Sequence, residues 1–156
     1  AALTRGRFRG PRDLRISNSA VKIIRMGENV VGVELPKGLF SGKTAIVTGA
    51  SRGVGRATAE RLAEGGANVV VNYLQNHAEA DETVNRCTSL GVKAIAIAGD
   101  VSEFAAARKV AEKAIEEFGG IDLLVLNAGI WEGAPIEEMT EETWNRVLNT
   151  NLKSAW

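Results

Sequence analysis

The sequence predicts an α/β fold of the doubly wound kind, a three-layer architecture in which helices cover both faces of a parallel sheet. Three observations carry that expectation. Four short apolar runs alternate with four segments of helical periodicity, the pattern of strands joined by crossover helices. Glycines stand where three of the helical segments stop, at Gly65-Gly66, Gly91 and Gly119-Gly120, as helix ends favour. A turn containing Gly49, Gly53 and Gly55 follows the first apolar run and leads into the first helix.

Each element has its own signal. Residues 44–48 (TAIVT) read as the first strand, apolar throughout as a buried parallel strand should be. A helix from Val54 to Glu64 would turn Val54, Ala57, Thr58 and Leu62 inward. Residues 68–72 (NVVVN) form the second strand, and a helix from His77 to Leu90 sets Ala80, Val84 and Cys87 on one side. The third strand is Val92 to Ala98. Ser102 is placed to cap a third helix, whose apolar stripe runs from Phe104 through Val110 and Ala114 to Phe118. Ile121 to Leu126 is the fourth strand. Thr140 can cap the last helix, with Glu141 and Glu142 suited to its positive end. Trp144, Val147, Leu148, Asn151 and Leu152 would face inward from it. Right-handed crossovers would give these four strands the spatial order 3-2-1-4. The fourth strand then lies at an edge and the last helix is short of neighbours, so the chain is expected to self-associate, to aggregate or to be a piece of something longer.

Composition narrows the function classes. Of 156 residues, 45% are hydrophobic and 24% charged, the profile of a globular domain. No run approaches the roughly 18 apolar residues of a membrane span. Cys87 is the sole cysteine, so neither an internal disulfide nor a cysteine-based metal site is available. Residues 1–40 hold eight Lys/Arg against three Asp/Glu, and the remainder hold eleven against sixteen. The part from residue 41 therefore offers no general basic face, and no nucleic-acid partner is expected for it. Residues 1–40 read as a basic, poorly ordered extension. An organellar transit peptide, a nucleic-acid-binding arm and an appended tail compete for its first 25 residues, and the tail is favoured. Residues 26–40 receive no element. Cytoplasmic location is expected unless the leader is a transit peptide.

The turn Thr48-Gly49-Ala50-Ser51-Arg52-Gly53-Val54-Gly55 carries the chemistry. Glycine is needed where the chain turns sharply, where a pyrophosphate approaches the backbone and where a helix packs close to a sheet. The free N–H groups at the start of the helix can then face an anion. A P-loop is excluded, because no Gly-Lys-Ser/Thr follows. The spacing G-x-x-x-G-x-G departs from the G-x-G-x-x-G fingerprint, and the position of the turn between strand and helix strengthens the expectation of a Rossmann-type fold.

This turn resembles the phosphate-binding motif of the classical short-chain dehydrogenases/reductases. Asp100-Val101, Asn127-Ala128-Gly129 and Asn149-Thr-Asn151-Leu follow in the family's order, so the resemblance spans about residues 39–156. Residues 42–57 and 67–73 are most similar to the 3-oxoacyl-(acyl-carrier-protein) reductase and glucose dehydrogenase group. The resemblance implies hydride transfer between a nicotinamide and a ketone or secondary alcohol. It implies cofactor contacts from Thr48, Gly49, Ser51, Arg52, Gly53, Val54 and Gly55, adenine contacts from Asp100 and Val101, and cofactor lining by Asn127, Ala128 and Gly129. Leu126 departs from the second Asn that relatives often carry. Asn151 matches the Asn of the family's catalytic tetrad. As a residue on its own, it serves equally well to satisfy a helix kink.

The dinucleotide can be chosen from charge. An NAD-binding domain usually ends its second strand on an acid that accepts the ribose hydroxyls. Asn72 stands there, uncharged, and would not repel a 2′-phosphate, while Arg52 could bind one. NADP(H) is thus expected over NAD(H), although Leu74 is apolar where relatives often have a second basic residue. The family's catalytic Ser, Tyr and Lys have no counterparts here. Tyr73 is the only tyrosine, it ends the second strand, and His77 rather than a lysine lies four residues on. The family's positions for them fall beyond Trp156, and these 156 residues alone are expected to be inactive. His77 reads as a solvated residue, and Glu137, Glu138, Glu141 and Glu142 read as a solvated acidic face.

Overall fold

A strand that is buried on both faces must be short, apolar and central, and residues 44–47 meet that description. The computed structural model of the chain describes residues 22–26 and 29–156, with side chains from residue 35 onward. All four residues of β3 (Thr44–Val47) are buried. It pairs in parallel with β4 (Asn68–Tyr73) on one side and β6 (Leu123–Val125) on the other, and β5 (Ala94–Ala98) adds to β4. The resulting order, β5-β4-β3-β6, is the 3-2-1-4 order expected from the sequence. In register, Ala45 faces both Val69 and Leu123.

Alternation along the strands splits the core into two layers. Val47, Val69 and Val71 point to the face covered by α1 (Gly53–Glu64) and α2 (His77–Ser89), where they meet Ala59, Ala63, Ala80 and Cys87. Ile46, Val70 and Ile97 point the other way, to Val110 and Ala114 of α3 (Phe104–Phe118). A last helix, α4 (Glu141–Asn151), leads into a single 3-10 turn at Lys153–Ala155. None of its residues is buried, and Trp144 is 55% exposed. Of the expected inward stripe of α4, Trp144, Leu148 and Leu152 stay exposed, and Asn151 alone reaches another segment through its side chain's hydrogen bonds, to Ile130. An apolar groove of about 530 Å³ lies between α3, β6 and the C-terminal 3-10 turn, walled by Val110, Ile115, Leu124, Leu126 and Trp156.

Several local expectations need correction. The inward face of α1 is Gly55, Ala59 and Ala63, not Val54 and Ala57, and Val54 is 74% exposed. Small residues at spacing four let the helix backbone approach the sheet, which outweighs the pull of the larger side chains. Ser102 does not cap α3. Glu103 occupies that position without a side-chain cap, and the Ser102 hydroxyl donates instead to Asp100 Oδ1 at 2.6 Å. Phe104, expected in the stripe of α3, is 72% exposed beside the groove, and Ile115 of the same helix is half exposed there. Thr140 caps α4 as expected, accepting from the Thr143 N–H at 3.1 Å.

Residues 1–40 contain an antiparallel pair, β1 (Lys22–Met26), mostly within the expected tail, and β2 (Asn29–Glu34), within the stretch that receives no element. Its register shifts between Ile24 and Arg25. The expectation of a poorly ordered extension over residues 1–40 is corrected for this pair, whose short β-branched runs favour strand. The competing readings of the first 25 residues fall mostly on residues 1–21, which lie outside the described residues. Among the described residues, no helix is long and apolar enough to cross a membrane.

Cys87 on α2 is fully buried. Burial pushes its thiol up to about 11, and the carboxylate of Glu60 adds to the shift. The thiolate is the reactive form, so a thiol reagent at pH 8 should label Cys87 only after denaturation. Fast labelling of the folded chain would contradict the packing of α2. The shift also sets a pH dependence. The folded thiol holds its proton more tightly than the unfolded one, so its contribution to stability is complete below about pH 8.5 and declines as pH rises toward 11.

Candidate cofactor-binding site

Parallel strands deliver all their C-terminal ends to one side of the sheet, and the strand order reverses between β3 and β6, which is where such sheets open a crevice. The turn of residues 48–55 lies at that crevice, with the segment of Asn127, Ala128 and Gly129 beside it.

Thr48 and Asn127 tie the two segments together. The Thr48 hydroxyl accepts from the N–H groups of Asn127 and Ala128, both at 2.9 Å. Asn127 Nδ2 donates to the carbonyls of Thr48 at 2.9 Å and Gly49 at 3.1 Å. Gly49 adopts φ +62°, and a Cβ there would lie 2.9 Å from Ala128 Cα. A Cβ on Gly55 would overlap the Gly49 carbonyl oxygen. Both glycines are thus fixed by crowding on the inner side of the turn. Gly53 differs. Its φ is +58°, yet a Cβ would meet nothing within 4 Å, so the outer side of the turn is open. Arg52 stands exposed at the N-cap of α1 and no side chain caps that helix, whereas Asn76 and Thr140 cap α2 and α4. The N–H groups at the start of α1 face an open mouth, an arrangement suited to an anion.

The other sequence-derived site residues take varied places. The side chain of Asn72 is buried and donates to the carbonyls of Ile97 at 3.2 Å and Gly99 at 3.0 Å. At the position where an acid would accept the ribose hydroxyls, this side chain pins the end of β4 to that of β5 instead. The backbone of Asn72 serves the turn, since its carbonyl accepts from the Ala50 N–H at 2.9 Å. Asp100 Oδ1 accepts from both the N–H and the hydroxyl of Ser102, while Val101 is half-buried on the wall of the groove. Asn151 spends its amide on one residue. Its Oδ1 accepts from the Ile130 N–H at 2.8 Å and its Nδ2 donates to the Ile130 carbonyl at 2.9 Å. It therefore links the end of α4 to the segment after β6, close to Gly129.

Two groups escaped sequence reasoning. The Tyr73 hydroxyl lies 2.8 Å from His77 Nδ1, and His77 Nε2 lies 3.2 Å from Asp81 Oδ2. His77 is exposed as expected but partnered on both sides, and the four-residue spacing of the three residues was the available signal. Beneath the turn, Arg56 of α1 and Thr83 of α2 converge on the Ser51 carbonyl. No local pattern joins residues that lie 27 positions apart on two helices.

The comparisons agree with this geometry. The family description "short chain dehydrogenase" matches residues 43–156. An uncharacterised oxidoreductase of Methylorubrum extorquens is 50% identical over 113 residues, 72% of this chain and 46% of that protein. A 3-oxoacyl-[acyl-carrier-protein] reductase of Staphylococcus epidermidis is 40% identical over 114 residues, 73% of this chain and 47% of that protein. Among solved structures, a short chain dehydrogenase from Burkholderia cenocepacia in complex with NADP superposes with a TM-score of 0.72 at 39% identity, covering 74% of this chain and 47% of that one. The chain spans about half the length of the curated relatives it matches. By sequence match, strand order and glycine turn together, it belongs to the short-chain dehydrogenase family.

Proposed function

We propose that this chain binds a nicotinamide dinucleotide at the 48–55 turn, NADP(H) in preference to NAD(H). It would serve as the cofactor-binding part of an oxidoreductase acting between a ketone and a secondary alcohol. The observation that carries the reading is the turn itself, closed by crowding at Gly49 and Gly55 and open at Arg52 and Gly53. The residues fit the group. Backbone N–H groups at the start of α1 would hold the pyrophosphate, and the exposed Arg52 guanidinium would hold a 2′-phosphate through charge-assisted bonds. Asp100, Val101 and Asn127 to Gly129 would flank the remainder. The nicotinamide supplies the hydride acceptor or donor when bound. Residues of this chain bind and orient, and Asn151 holds the backbone at Ile130, next to Gly129.

Turnover is a separate matter. Tyr73 has no lysine four residues on, and its hydroxyl is engaged with His77. Residues 1–156 are therefore proposed to bind cofactor without catalysing its reduction or oxidation. The exposed apolar side chains of β6 and of α4 with its C-terminal flank, Leu124, Trp144 and Leu152 among them, support self-association.

Titration of the purified chain with NADPH and NADH, followed by nicotinamide fluorescence, tests the cofactor reading. NADPH should bind more tightly. Arg52→Ala should weaken NADPH binding by roughly 10- to 100-fold, the loss of a hydrogen-bonded ion pair, and leave NADH nearly unchanged. Equal affinity for the two cofactors, or tighter NADH binding, would overturn the preference.

A further inference from the structure

We propose that Arg56 and Thr83 are positioning residues for the phosphate-binding turn: they clamp the Ser51 carbonyl between α1 and α2 and so aim the Arg52 N–H at the open mouth. The inference rests on the cofactor reading above and adds two residues to it.

The clamp is dense. Arg56 Nη2 donates to the Ser51 carbonyl at 2.6 Å and Nε lies 3.1 Å from the same oxygen. The Thr83 hydroxyl, on a fully buried residue, lies 3.1 Å from it as well. Arg56 Nε also sits 3.0 Å from Thr83 Oγ1, and Arg56 Nη2 reaches the Glu79 carbonyl at 3.1 Å. A helical threonine commonly bonds the carbonyl four residues earlier, and Thr83 can do so with Glu79 at 3.1 Å. That habit does not account for an approach to Ser51 from a different element. Nor does surface chemistry account for Arg56, whose side chain is only 18% exposed.

The consequence follows from peptide geometry. In a planar trans peptide, the C=O of one residue and the N–H of the next point in opposite directions. Holding the Ser51 carbonyl down into the cleft between α1 and α2 turns the Arg52 N–H away from it, toward the exposed side of the turn. Arg52 then continues in extended backbone, with φ −156° and ψ 177°, which sets the root of its side chain.

The clamp is itself braced. Arg56 Nη1 pairs with Glu82 at 3.2 Å, and Arg86 bonds the same carboxylate and lies 3.6 Å from Glu60. Those two arginines hold the Glu82 carboxyl below the usual carboxylate range, the Arg86 hydrogen bond first, so the brace stays charged at neutral pH. A lysine at position 56 would keep the charge and lose the planar fork that lets one side chain serve several acceptors.

The test uses the full chain with Thr83→Val, Thr83→Ser and Arg56→Lys, read by NADPH titration and by the backbone amide resonance of Arg52 without ligand. Thr83→Val and Arg56→Lys should each weaken NADPH binding roughly three- to tenfold, the value of one or two hydrogen bonds. Both should shift the Arg52 amide resonance. Thr83→Ser keeps the hydroxyl and should restore both readouts. Wild-type binding of NADPH with unchanged affinity and an unmoved Arg52 amide in Thr83→Val and Arg56→Lys would overturn the clamp. Absence of NADPH binding by the wild type would instead overturn the cofactor reading, and the Arg52 amide would still decide whether the clamp exists.

Discussion

Gly55→Ala should destabilise the chain by about 2 kcal/mol and abolish dinucleotide binding. In an ordinary helix interior this substitution gains about 1 kcal/mol, because alanine is the better helix former. Here packing decides the sign. The new Cβ would overlap the Gly49 carbonyl oxygen and lie 2.5 Å from Asn127 Nδ2 and 2.9 Å from Ala50 Cα. Two of those neighbours are backbone, and the third is an amide that holds two carbonyls. Forcing a methyl group into such a site costs about 1–3 kcal/mol or more, and relief requires α1 to lift from the turn. Urea unfolding and NADPH titration of the variant check both halves. Gly53→Ala is the control, since its φ of +58° brings about 1–2 kcal/mol of backbone strain and no overlap. Wild-type stability for Gly55→Ala would contradict the close approach of helix and turn.

Thr48→Val should cost about 2–4 kcal/mol. Thr48 is 4% exposed, and its hydroxyl oxygen accepts two backbone N–H groups, those of Asn127 and Ala128. Valine keeps the shape and removes the acceptor. Each donor left unpaired away from water costs about 1–3 kcal/mol. Thr48→Ser should recover most of the loss. Denaturant midpoints give the energy, and amide hydrogen exchange at Asn127 and Ala128 locates it, since both amides should exchange faster in the valine variant only. Unchanged protection would show that the hydroxyl does not hold the two segments together.

These effects explain which parts of the molecule were legible in the sequence. The strand and helix order is readable because short apolar runs rich in valine, isoleucine, leucine and alanine, alternating with helical segments that glycines close, leave little freedom to a chain that must bury them. The turn was readable because its glycines are obligatory, through crowding at Gly49 and Gly55. Orientation was not readable wherever burial is two-sided. Residues 69–72 of β4 are all buried, so nothing in the pattern told that Asn72 turns its amide into the sheet. The inward face of α1 was misjudged for a related reason. Hydrophobicity favours Val54, but a helix that packs closely selects Gly55, Ala59 and Ala63. Arg56 and Thr83 meet at Ser51 only because two crossover helices pack side by side, and Asn151 finds Ile130 only through the path of the chain after β6. Such long-range pairings leave no local trace.

The central claim is that the 48–55 turn is the phosphate site of a dinucleotide. Its most direct test is to follow the backbone amides of the isotope-labelled chain during NADPH addition. The amides of Ser51, Arg52, Gly53 and Val54 should shift most, with smaller changes at Asp100, Val101 and Asn127 to Gly129. A turn whose amides stay still at saturating NADPH, or changes confined to the apolar groove beside α3, would contradict it.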